Sequence, residues 1–566
     1  FAQFTLSFLF LQHRHSSRFL DTPLSPAPPR HIMTLPTTVV ALLLAGVAYT
    51  ISYIISRLLR ARRIIRLSRE LQCEKPPVLK SHWPLGIDTL MRSMKAVGEN
   101  LYPTVSIERT QEIGSVTYSF SILGTENLYT ADEENIKAML AVQFKDFELG
   151  AMRRGNFWPL LGNGIFTQDG PGWEHSRAMM RPQFARDQIS DLDMEECHVQ
   201  NMMRALELCM AKDGSGIIED IDLQVLFFRL TLDSATEFLF GKSVETQVHL
   251  LGHNTNGPIP GIENSVRAKF AFAFDGAQKT LAIRARLVNG YWLFSPPGFK
   301  DSCKVCHDFI DEYVHLALNK AKRLQANDVE KDGDAKEKYL FLDALVAQTQ
   351  DPLELRTQLL NILLAGRDTT ASFLGWLFML LAKDAGRYQK LRDIILAEFG
   401  TYENPIDITF ARMKSCQYLQ QCNNEALRLF PVVPVNSRVA NKDTTLPRGG
   451  GKDGKSKIFV PKGTPVDYSV HVMHRRKDLW GEDANEFNPE RWQGRKVGWE
   501  FLPFNGGPRI CIGQQFALTG ASYAIIRLLQ RFDSMSYLGT EAKELHNLTL
   551  TSCNANGVRV RAHAVC

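Results

Sequence analysis

The spacing of apolar residues predicts helices in three parts of the chain. Residues 35–55 are apolar almost without a break, and residues 307–324 carry apolar side chains at helical spacing. A third helix begins at Asp351 and Pro352, which suit its cap and first turn. Apolar residues recur there every three or four positions, but the polar run 368–370 interrupts the stripe. Buried polar side chains are costly without a purpose, so this run is a candidate for chemistry.

The first apolar stretch has the length of a membrane span. No charged residue occurs from 32 to 56, and residues 35–55 would cover about 31 Å as a helix. A cleaved signal peptide carries its positive charges before the apolar run, and a buried core helix is the other alternative. Here the arginines come after the run: Arg57, Arg60, Arg62, Arg63, Arg66 and Arg69. Because positive residues stay in the cytosol, we expect an uncleaved anchor with a lumenal amino end and a cytosolic remainder.

These features divide the chain into four predicted regions. Residues 1–32 precede the first methionine, and we expect a non-native or disordered extension without a role in the fold. Residues 33–56 form the anchor, and residues 57–80 form a basic linker with a proline hinge. Residues 81–566 form one large folded domain.

Composition narrows the class of protein. Apolar residues make up 44% and charged residues 22% of the 566 residues, which excludes a mostly disordered chain, a collagen and a polytopic transporter. A net charge of +5 is too small to indicate a nucleic-acid partner. The ten cysteines are scattered, which favours reduced thiols in a cytosol-facing protein over a disulfide framework.

Two motifs match known cofactor patterns but lack the required context. Residues 449–456 satisfy the phosphate-loop pattern and G-x-G-x-x-G, which need a buried strand before them and a helix after them. A short strand, 458–460, follows instead and predicts a hairpin. Residues 303–307 spell C-x-x-C-H, the pattern of covalent haem attachment, at the start of a predicted helix. That chemistry is confined to special compartments, so an ordinary surface or half-buried helix is expected.

The most informative stretch is a glycine-rich loop around one cysteine, residues 504–513, followed by an apolar helix. A thiolate at a helix start beside Arg509 is stabilised by backbone amides and the guanidinium. Glycines also let the backbone approach a flat macrocycle, whereas a lone cysteine would more simply be a structural residue in a turn. The loop resembles the haem-binding signature of the cytochrome P-450 superfamily. The resemblance implies that the thiolate of Cys511 ligates the iron of haem b, with Phe504, Arg509 and Gly513 as cofactor-binding residues.

The polar run in the third predicted helix resembles the oxygen-activation motif of the same family. Residues 365–370 read AGRDTT, which on their own would also suit a local kink with side-chain-to-backbone hydrogen bonds. The resemblance implies that Gly366 leaves space for dioxygen over the iron. It further implies that Asp368 and Thr369 relay protons to the distal oxygen.

Another motif resembles the structural network of the family. Glu425 and Arg428 lie three residues apart on a predicted helix, a spacing at which most pairs are ordinary surface ion pairs. Arg491 lies in the sequence FNPERW at the right distance beyond them. The resemblance implies a buried network of these three side chains that holds the Cys511 loop in place.

A further motif, Trp173 and Arg177 in W-x-x-x-R, resembles the pair that reaches a haem propionate. Arg438 and Arg509 match additional propionate contacts of the family. Three guanidinium groups on two carboxylates is sensible pairing chemistry.

The resemblance covers about residues 80–560 and implies both a fold and a reaction. The fold would be mainly α with small antiparallel β-sheets, in one haem domain beside the N-terminal transmembrane helix. The reaction would be monooxygenation, in which O₂ and two electrons convert a C–H bond into an alcohol. Since both glycine motifs lack the context of a nucleotide site, the electrons would come from NADPH through a separate cytochrome P-450 reductase. The protein would be a single-pass component of the endoplasmic reticulum membrane, in contact with lipid, with its catalytic domain in the cytosol.

The flanking sequence resembles the fungal microsomal branch that hydroxylates n-alkanes and fatty acids, so a long-chain apolar substrate is expected. The alternative is a polyketide or terpenoid of a secondary-metabolite pathway. Phe270, Phe272 and Phe274 would either line a membrane-facing entry or pack in the core. Two other classes are a haem-thiolate lyase or isomerase and a non-catalytic haem-binding membrane protein. The pair Asp368 and Thr369 argues against both.

Overall fold

The computed structural model describes residues 37–185, 192–248, 266–325, 340–541 and 543–565. Contacts divide the chain into two units, 1–63 and 64–566, and the second contains the large folded domain. The predicted extension 1–32 lies outside the described residues. Among the residues described, no helix combines the length and the apolar character that crossing a membrane requires.

Helices make up most of the large unit. In chain order they are α1 (Thr37–Glu70), α2 (Ile87–Gly98), α3 (Tyr102–Ile113), α4 (Glu133–Lys137), α5 (Gly150–Leu161), α6 (Gly170–Met180), α7 (Asp193–Glu207), α8 (Leu223–Phe240), α9 (Val266–Arg286), α10 (Phe299–Gln325), α11 (Phe341–Val346), α12 (Pro352–Lys383), α13 (Ala385–Phe399), α14 (Phe410–Ser415), α15 (Gln417–Leu429), α16 (Val470–Met473), α17 (Lys477–Trp480) and α18 (Gln514–Arg531). The expectation of a mainly helical fold is confirmed.

The strands form small sheets at the periphery of the helices. They are β1 (Thr117–Ile122), β2 (Thr125–Thr130), β3 (Phe147–Glu148), β4 (Ile217–Asp222), β5 (Val435–Ala440), β6 (Thr444–Gly450), β7 (Ser456–Val460), β8 (Pro465–Ser469), β9 (Phe532–Tyr537), β10 (His546–Leu548), β11 (Ser552–Asn554) and β12 (Arg559–Ala564). The largest sheet has the order β1-β2-β8-β5-β3. Its pairs are antiparallel except for β2 and β8, which run parallel.

Helix α12 is the central element of the large unit. Its start matches the sequence prediction, because the Asp351 side chain accepts a hydrogen bond from the Leu353 amide at 2.9 Å. The helix packs against α8, α10, α15 and α18, and most of its side chains are buried. A buried helix of 32 residues gives the fold a rigid axis along which functional groups are placed.

The segment predicted as a basic linker has a defined structure. Helix α1 continues through the arginine-rich stretch to Glu70. The proline-containing strip that follows is tied to the large unit, because Glu74 donates its backbone amide to Lys457 and Leu79 donates to Ser119, each at 2.8 Å. The prolines therefore belong to an extended strip that pairs with neighbouring strands.

Both motifs that lacked a cofactor context have the structures expected for ordinary elements. The glycine-rich run joins β6 to β7 as a hairpin, with the Gly449 amide donating to the Gly454 carbonyl at 2.7 Å. The C-x-x-C-H residues lie in the first turns of α10, where Cys303 and Cys306 are buried in the core. Burial also raises the pKa of both thiols. The three phenylalanines of α9 differ in exposure: Phe270 and Phe274 are fully buried, whereas Phe272 is exposed.

Candidate active site

The loop before α18 places Cys511 by backbone hydrogen bonds. The Cys511 amide donates to the Phe504 carbonyl at 3.0 Å, which closes the loop three residues before the helix begins. Gly507 has a φ of +66°, and a Cβ there would lie 1.8 Å from the Leu140 carbonyl oxygen. Any other residue at 507 would push the loop away from the neighbouring chain. The Tyr468 hydroxyl adds a side-chain tether by donating to Asn505 Oδ1 at 3.0 Å.

The Cys511 side chain is accessible and has neighbours that stabilise its ionised form. Burial among protein atoms raises the pKa of the thiol, although the residue is exposed. The Gly513 amide and the Arg177 guanidinium lower the same pKa, so the site contains two groups that stabilise a thiolate. Such a cysteine suits a ligand to a bound metal centre.

One face of α12 is partly accessible in the otherwise buried middle of the helix. Ala365, Gly366, Thr369 and Thr370 are partly accessible, although the residues between them are buried. A Cβ added to Gly366 would meet only Ala235, at an ordinary 3.6 Å. The backbone and the protein packing therefore do not require glycine there, and the free volume lies beside the helix. The Thr369 hydroxyl donates to the Ala365 carbonyl at 2.6 Å along this face.

Asp368 is the buried acid next to that accessible face. It is 5% exposed, and its Oδ1 lies 3.4 Å from Nη1 of Arg367. Burial raises the pKa of its carboxyl, and the Arg367 guanidinium opposes the rise. A carboxyl with a raised pKa exchanges protons more readily near neutral pH than a fully ionised one.

Arg509 has three other arginines as neighbours, and it shares the indole ring of Trp173 with one of them. The Arg509 guanidinium lies 4.4 Å and that of Arg177 lies 5.9 Å from the indole centroid. Arg177 also donates to the Ile510 carbonyl at 3.0 Å, which links this group to the cysteine loop.

The remaining two arginines meet at one amide side chain. Arg153 donates to Asn436 Oδ1 at 2.7 Å, and Arg438 lies 3.5 Å from the same oxygen. Arg153 was missed by the sequence analysis. Its contact joins positions 283 residues apart, and no local motif surrounds it.

These guanidinium groups carry more positive charge than their protein partners neutralise. In the described ranges Asp169 is the one carboxylate in ion-pair contact with them, 2.7 Å from Arg509 Nη2. Burial and the neighbouring arginines lower the pKa of Arg153 and that of Arg509 to about 10. Buried unpaired cations are costly, so the cluster suits a ligand with more than one carboxylate. Haem, with two propionates, fits this cluster together with the accessible thiol and the accessible face of α12.

The Glu425 network lies behind the cysteine loop. Arg428 binds Glu425 with two hydrogen bonds of 2.8 Å, and Arg491 Nε donates to Glu425 Oε1 at 2.8 Å. The side chains of Glu425 and Arg428 are fully buried. Trp492 also joins, since its indole Nε1 donates to Glu425 Oε2 at 2.9 Å. Trp492 therefore adds an indole donor to the network.

His474 connects the network to the cysteine loop. Its Nδ1 lies 3.1 Å from the Arg428 carbonyl, and its Nε2 lies 2.9 Å from the Leu502 amide. Since the amide can only donate, Nε2 is the acceptor and the proton is on Nδ1. Leu502 in turn accepts from the Asn505 amide at 3.3 Å. The three predicted network residues are thus brought together and are joined to the loop by His474.

Comparisons with known proteins show the family of this chain. The family model for cytochrome P450 matches residues 91–553. Cytochrome P450 monooxygenase g430 of a Fusarium species is 56% identical over 92% of this chain and 90% of its own length. Cytochrome P450 monooxygenase alt2 of Alternaria solani is 42% identical over 93% and 98% of the two chains, and cytochrome P450 52A12 of Debaryomyces hansenii is 46% identical over 88% and 93%. The chain therefore belongs to the cytochrome P450 family of haem-thiolate monooxygenases.

Proposed function

We propose that Cys511 is the thiolate ligand of the haem iron in this monooxygenase. The observation that carries the proposal is an accessible thiol before α18, with the Gly513 amide and Arg177 both favouring its ionised form. When bound, the haem supplies activation of O₂, so that a C–H bond, O₂, two electrons and two protons give an alcohol and water. Phe504 and Gly513 bound the loop on either side of the cysteine.

The propionates would bind at the arginine cluster. Arg177, Arg438 and Arg509 are the residues expected from the sequence, and the contacts of Arg153 support its inclusion. Trp173 orders two of these guanidinium groups by stacking. Their role is to hold the macrocycle in one orientation, since the cluster lies at one side of the Cys511 loop.

Three residues of α12 would serve the oxygen side of the site. Gly366 leaves open volume, Thr369 presents its hydroxyl along the accessible face, and Asp368 is a buried acid whose pKa is raised by burial. Glu425, Arg428 and Arg491 would act at a distance by fixing the loop through His474. Retention of an acid and a hydroxyl here favours monooxygenation over lyase, isomerase or purely binding functions.

The electrons would come from a separate NADPH-dependent reductase. Exposed Arg181 lies close enough to Arg177 to lower its pKa, and Arg177 contacts the Cys511 loop. This face therefore presents positive charge to a partner, and an acidic flavin domain would complement it.

The substrate would be a long-chain alkane or fatty acid. The resemblance of the flanking sequence supports this choice over a polyketide or terpenoid. Partly accessible apolar side chains, including Ala365 in α12 and Val433 just before β5, are consistent with a hydrocarbon next to the accessible face. A polyoxygenated substrate would need polar side chains that select it, whereas a hydrocarbon does not.

The enzyme would sit on the endoplasmic reticulum membrane, anchored by the apolar run 35–55, with its catalytic domain in the cytosol. The large unit adds an exposed apolar surface, named here the leucine surface: Trp83, Leu85, Leu123, Trp292 and Leu293, each 40–71% exposed. Leu123 and Leu293 both approach Gly290, and Leu85 approaches Gly124. The stretches that carry Leu85, Leu123 and Leu293 are therefore neighbours. Contiguous exposed apolar patches of this kind mark interaction sites, and a lipid surface suits this one.

The test of the haem assignment is Cys511→Ser. We expect the variant to lose the red-shifted Soret band of the reduced carbon monoxide complex, because that band depends on thiolate ligation. Cys197→Ser, which removes an exposed thiol elsewhere, should keep the band. Retention of the band in Cys511→Ser would overturn the assignment.

A further inference from the structure

A buried arginine joins α12 to α9 beside the proposed proton relay. The Arg367 side chain is 8% exposed, and its guanidinium lies 5.5 Å from the Phe228 ring and 5.9 Å from the Phe274 ring. Its hydrogen bonds go across to α9, where Asp275 accepts from both Nη atoms, one of them at 3.3 Å. Asp275 is 59% exposed, so the charge of the buried cation is neutralised from the surface.

Asp368 is left with an uncommitted oxygen by this arrangement. Its Oδ1 is in ion-pair contact with Arg367 Nη1 at 3.4 Å, but it receives no hydrogen bond from the residues described. Gln278, one turn beyond Asp275 on α9, lies close enough to the Asp368 carboxyl to lower its pKa. Helix α9 therefore faces both residues, with Asp275 bound to the cation and Gln278 beside the acid.

We infer that Asp275 is a positioning residue for proton delivery: by binding Arg367, it keeps the guanidinium from capturing Asp368. The inference rests on the proposed role of Asp368 in the relay. If the Asp275 charge is removed, Arg367 is buried without its acid, and the nearest available carboxylate is Asp368. A bidentate ion pair would then hold Asp368 ionised and occupy its free oxygen. The acid would no longer exchange a proton with Thr369.

The consequence is measurable as a change in products. In the productive reaction, O₂ takes two electrons from the NADPH-fed reductase and two protons, and the substrate is hydroxylated with release of water. When the later proton does not reach the distal oxygen, O₂ leaves with both electrons and two protons as hydrogen peroxide, and the substrate is unchanged. Asp275→Asn should therefore lower the product formed per NADPH by about tenfold, less than the roughly 100-fold that loss of a general acid costs. Haem content and substrate affinity should not change.

Two further variants separate positioning from a structural role. Asp275→Glu should restore coupling, because it restores the acid. The double variant Asp275→Asn with Arg367→Met should couple better than Asp275→Asn alone, because no cation is left to capture Asp368. A structural tie between α9 and α12 predicts the opposite order, since the double variant removes both ends of the tie. Asp308→Asn, which removes an exposed acid paired with Lys304 on α10, is the matched control and should couple normally.

The full-length enzyme with its reductase is assayed for NADPH, product and peroxide. Unchanged coupling in Asp275→Asn, or a double variant no better than the single one, would overturn the inference. Asp368→Asn is measured alongside. If that variant also couples normally, the relay itself is wrong, whereas uncoupling in Asp368→Asn alone would reject only the role of Asp275.

Discussion

His474 shows how a single buried residue links folding to pH. Both of its ring nitrogens are used while it is neutral, one toward the Arg428 carbonyl and one toward the Leu502 amide. Burial and then Arg428 lower the pKa of His474 to about 3 from an ordinary 6.5. Burial likewise lowers the pKa of His546 to about 3. Below about pH 6.5 the unfolded chain therefore binds protons that the native protein does not.

The sign of this linkage predicts acid lability. Stability is fully present above the unfolded pKa and falls as the pH drops from about 6.5 toward 3, by about 1.4 kcal/mol per pH unit for each such histidine. His474→Gln keeps a hydrogen-bond donor and an acceptor, but glutamine does not bind a proton when the chain unfolds at low pH. We expect a lower free energy of unfolding at neutral pH and a shallower loss on acidification, measured by urea unfolding across this range. The exposed His82→Gln should leave the pH slope unchanged, and an unchanged slope in His474→Gln would contradict the assignment.

Individual site residues differ in how far the sequence could identify them. Cys511 and Thr369 lie in short motifs whose chemistry is local, and the structure places both on accessible surfaces of buried elements. Arg153 has no such motif, because its significance comes from Asn436 on a distant strand. Asp275 is likewise an ordinary surface acid in the sequence, and only its pairing with Arg367 distinguishes it.

At the scale of elements, the segment around Trp492 is fixed by one carboxylate. The Glu425 carboxylate accepts hydrogen bonds from the guanidinium groups of Arg428 and Arg491. Its Oε2 also accepts a hydrogen bond from Trp492 Nε1 at 2.9 Å. A hydrogen bond to a charged group contributes about 1.5–3 kcal/mol. Trp492→Phe, which keeps an aromatic ring but removes the donor, should lower the free energy of unfolding by about that amount.

Trp480→Phe is the matched control for that change. Trp480 packs against Trp492 with 5.6 Å between ring centroids, but its own Nε1 is buried without a hydrogen-bond partner among the described residues. Replacing it removes a similar aromatic volume and no hydrogen bond, so its cost should be smaller. The comparison is made by chemical unfolding of the two holoenzymes. Equal costs would mean that packing, and not the bond to Glu425, decides the effect.

Elements with local signals were predicted well, and those set by distant pairing were not. The cap at Asp351 predicted the start of α12, and the strand after the glycine-rich run predicted the hairpin of β6 and β7. The parallel pairing of β2 with β8 joins residues more than 300 positions apart, so no local pattern could reveal it. The continuation of α1 through the arginines was not predicted, although arginine has good helix propensity.

At the scale of the whole molecule, the leucine surface should bind lipid without the apolar first part of α1, residues 37–56. A chain that begins at residue 57 keeps this surface, and burying one large apolar side chain contributes about 1.5–3 kcal/mol. Serine at Trp292 or Leu293 should therefore weaken binding to neutral phospholipid vesicles by roughly tenfold or more, as measured by flotation. Leu353→Ser, at an equally exposed position on α12, should bind like the parent. Equal losses from all three changes would show that no defined surface contacts the membrane.

Substrate choice is the property that the whole cavity determines, and chain length is its simplest measure. An apolar ligand that displaces water from the distal side should shift the Soret band to the blue, which reports binding directly. Each methylene buried contributes about 0.8 kcal/mol, so affinity should rise about fourfold per added carbon until the cavity is full. A titration of n-alkanes and matching fatty acids of about twelve to sixteen carbons tests this expectation.

The comparison of acids with alkanes then identifies the favoured class. Lys269 and Lys279 of α9 are exposed, so a carboxylate near them would remain hydrated and gain little from pairing. A carboxylate held away from water without a partner would instead cost several kcal/mol. Equal affinity for both series therefore indicates a head group that reaches solvent, and a clear preference for alkanes indicates a closed cavity. If neither series shifts the spectrum while a bulky polycyclic compound does, the long-chain substrate is wrong and the enzyme is a monooxygenase of a different substrate class.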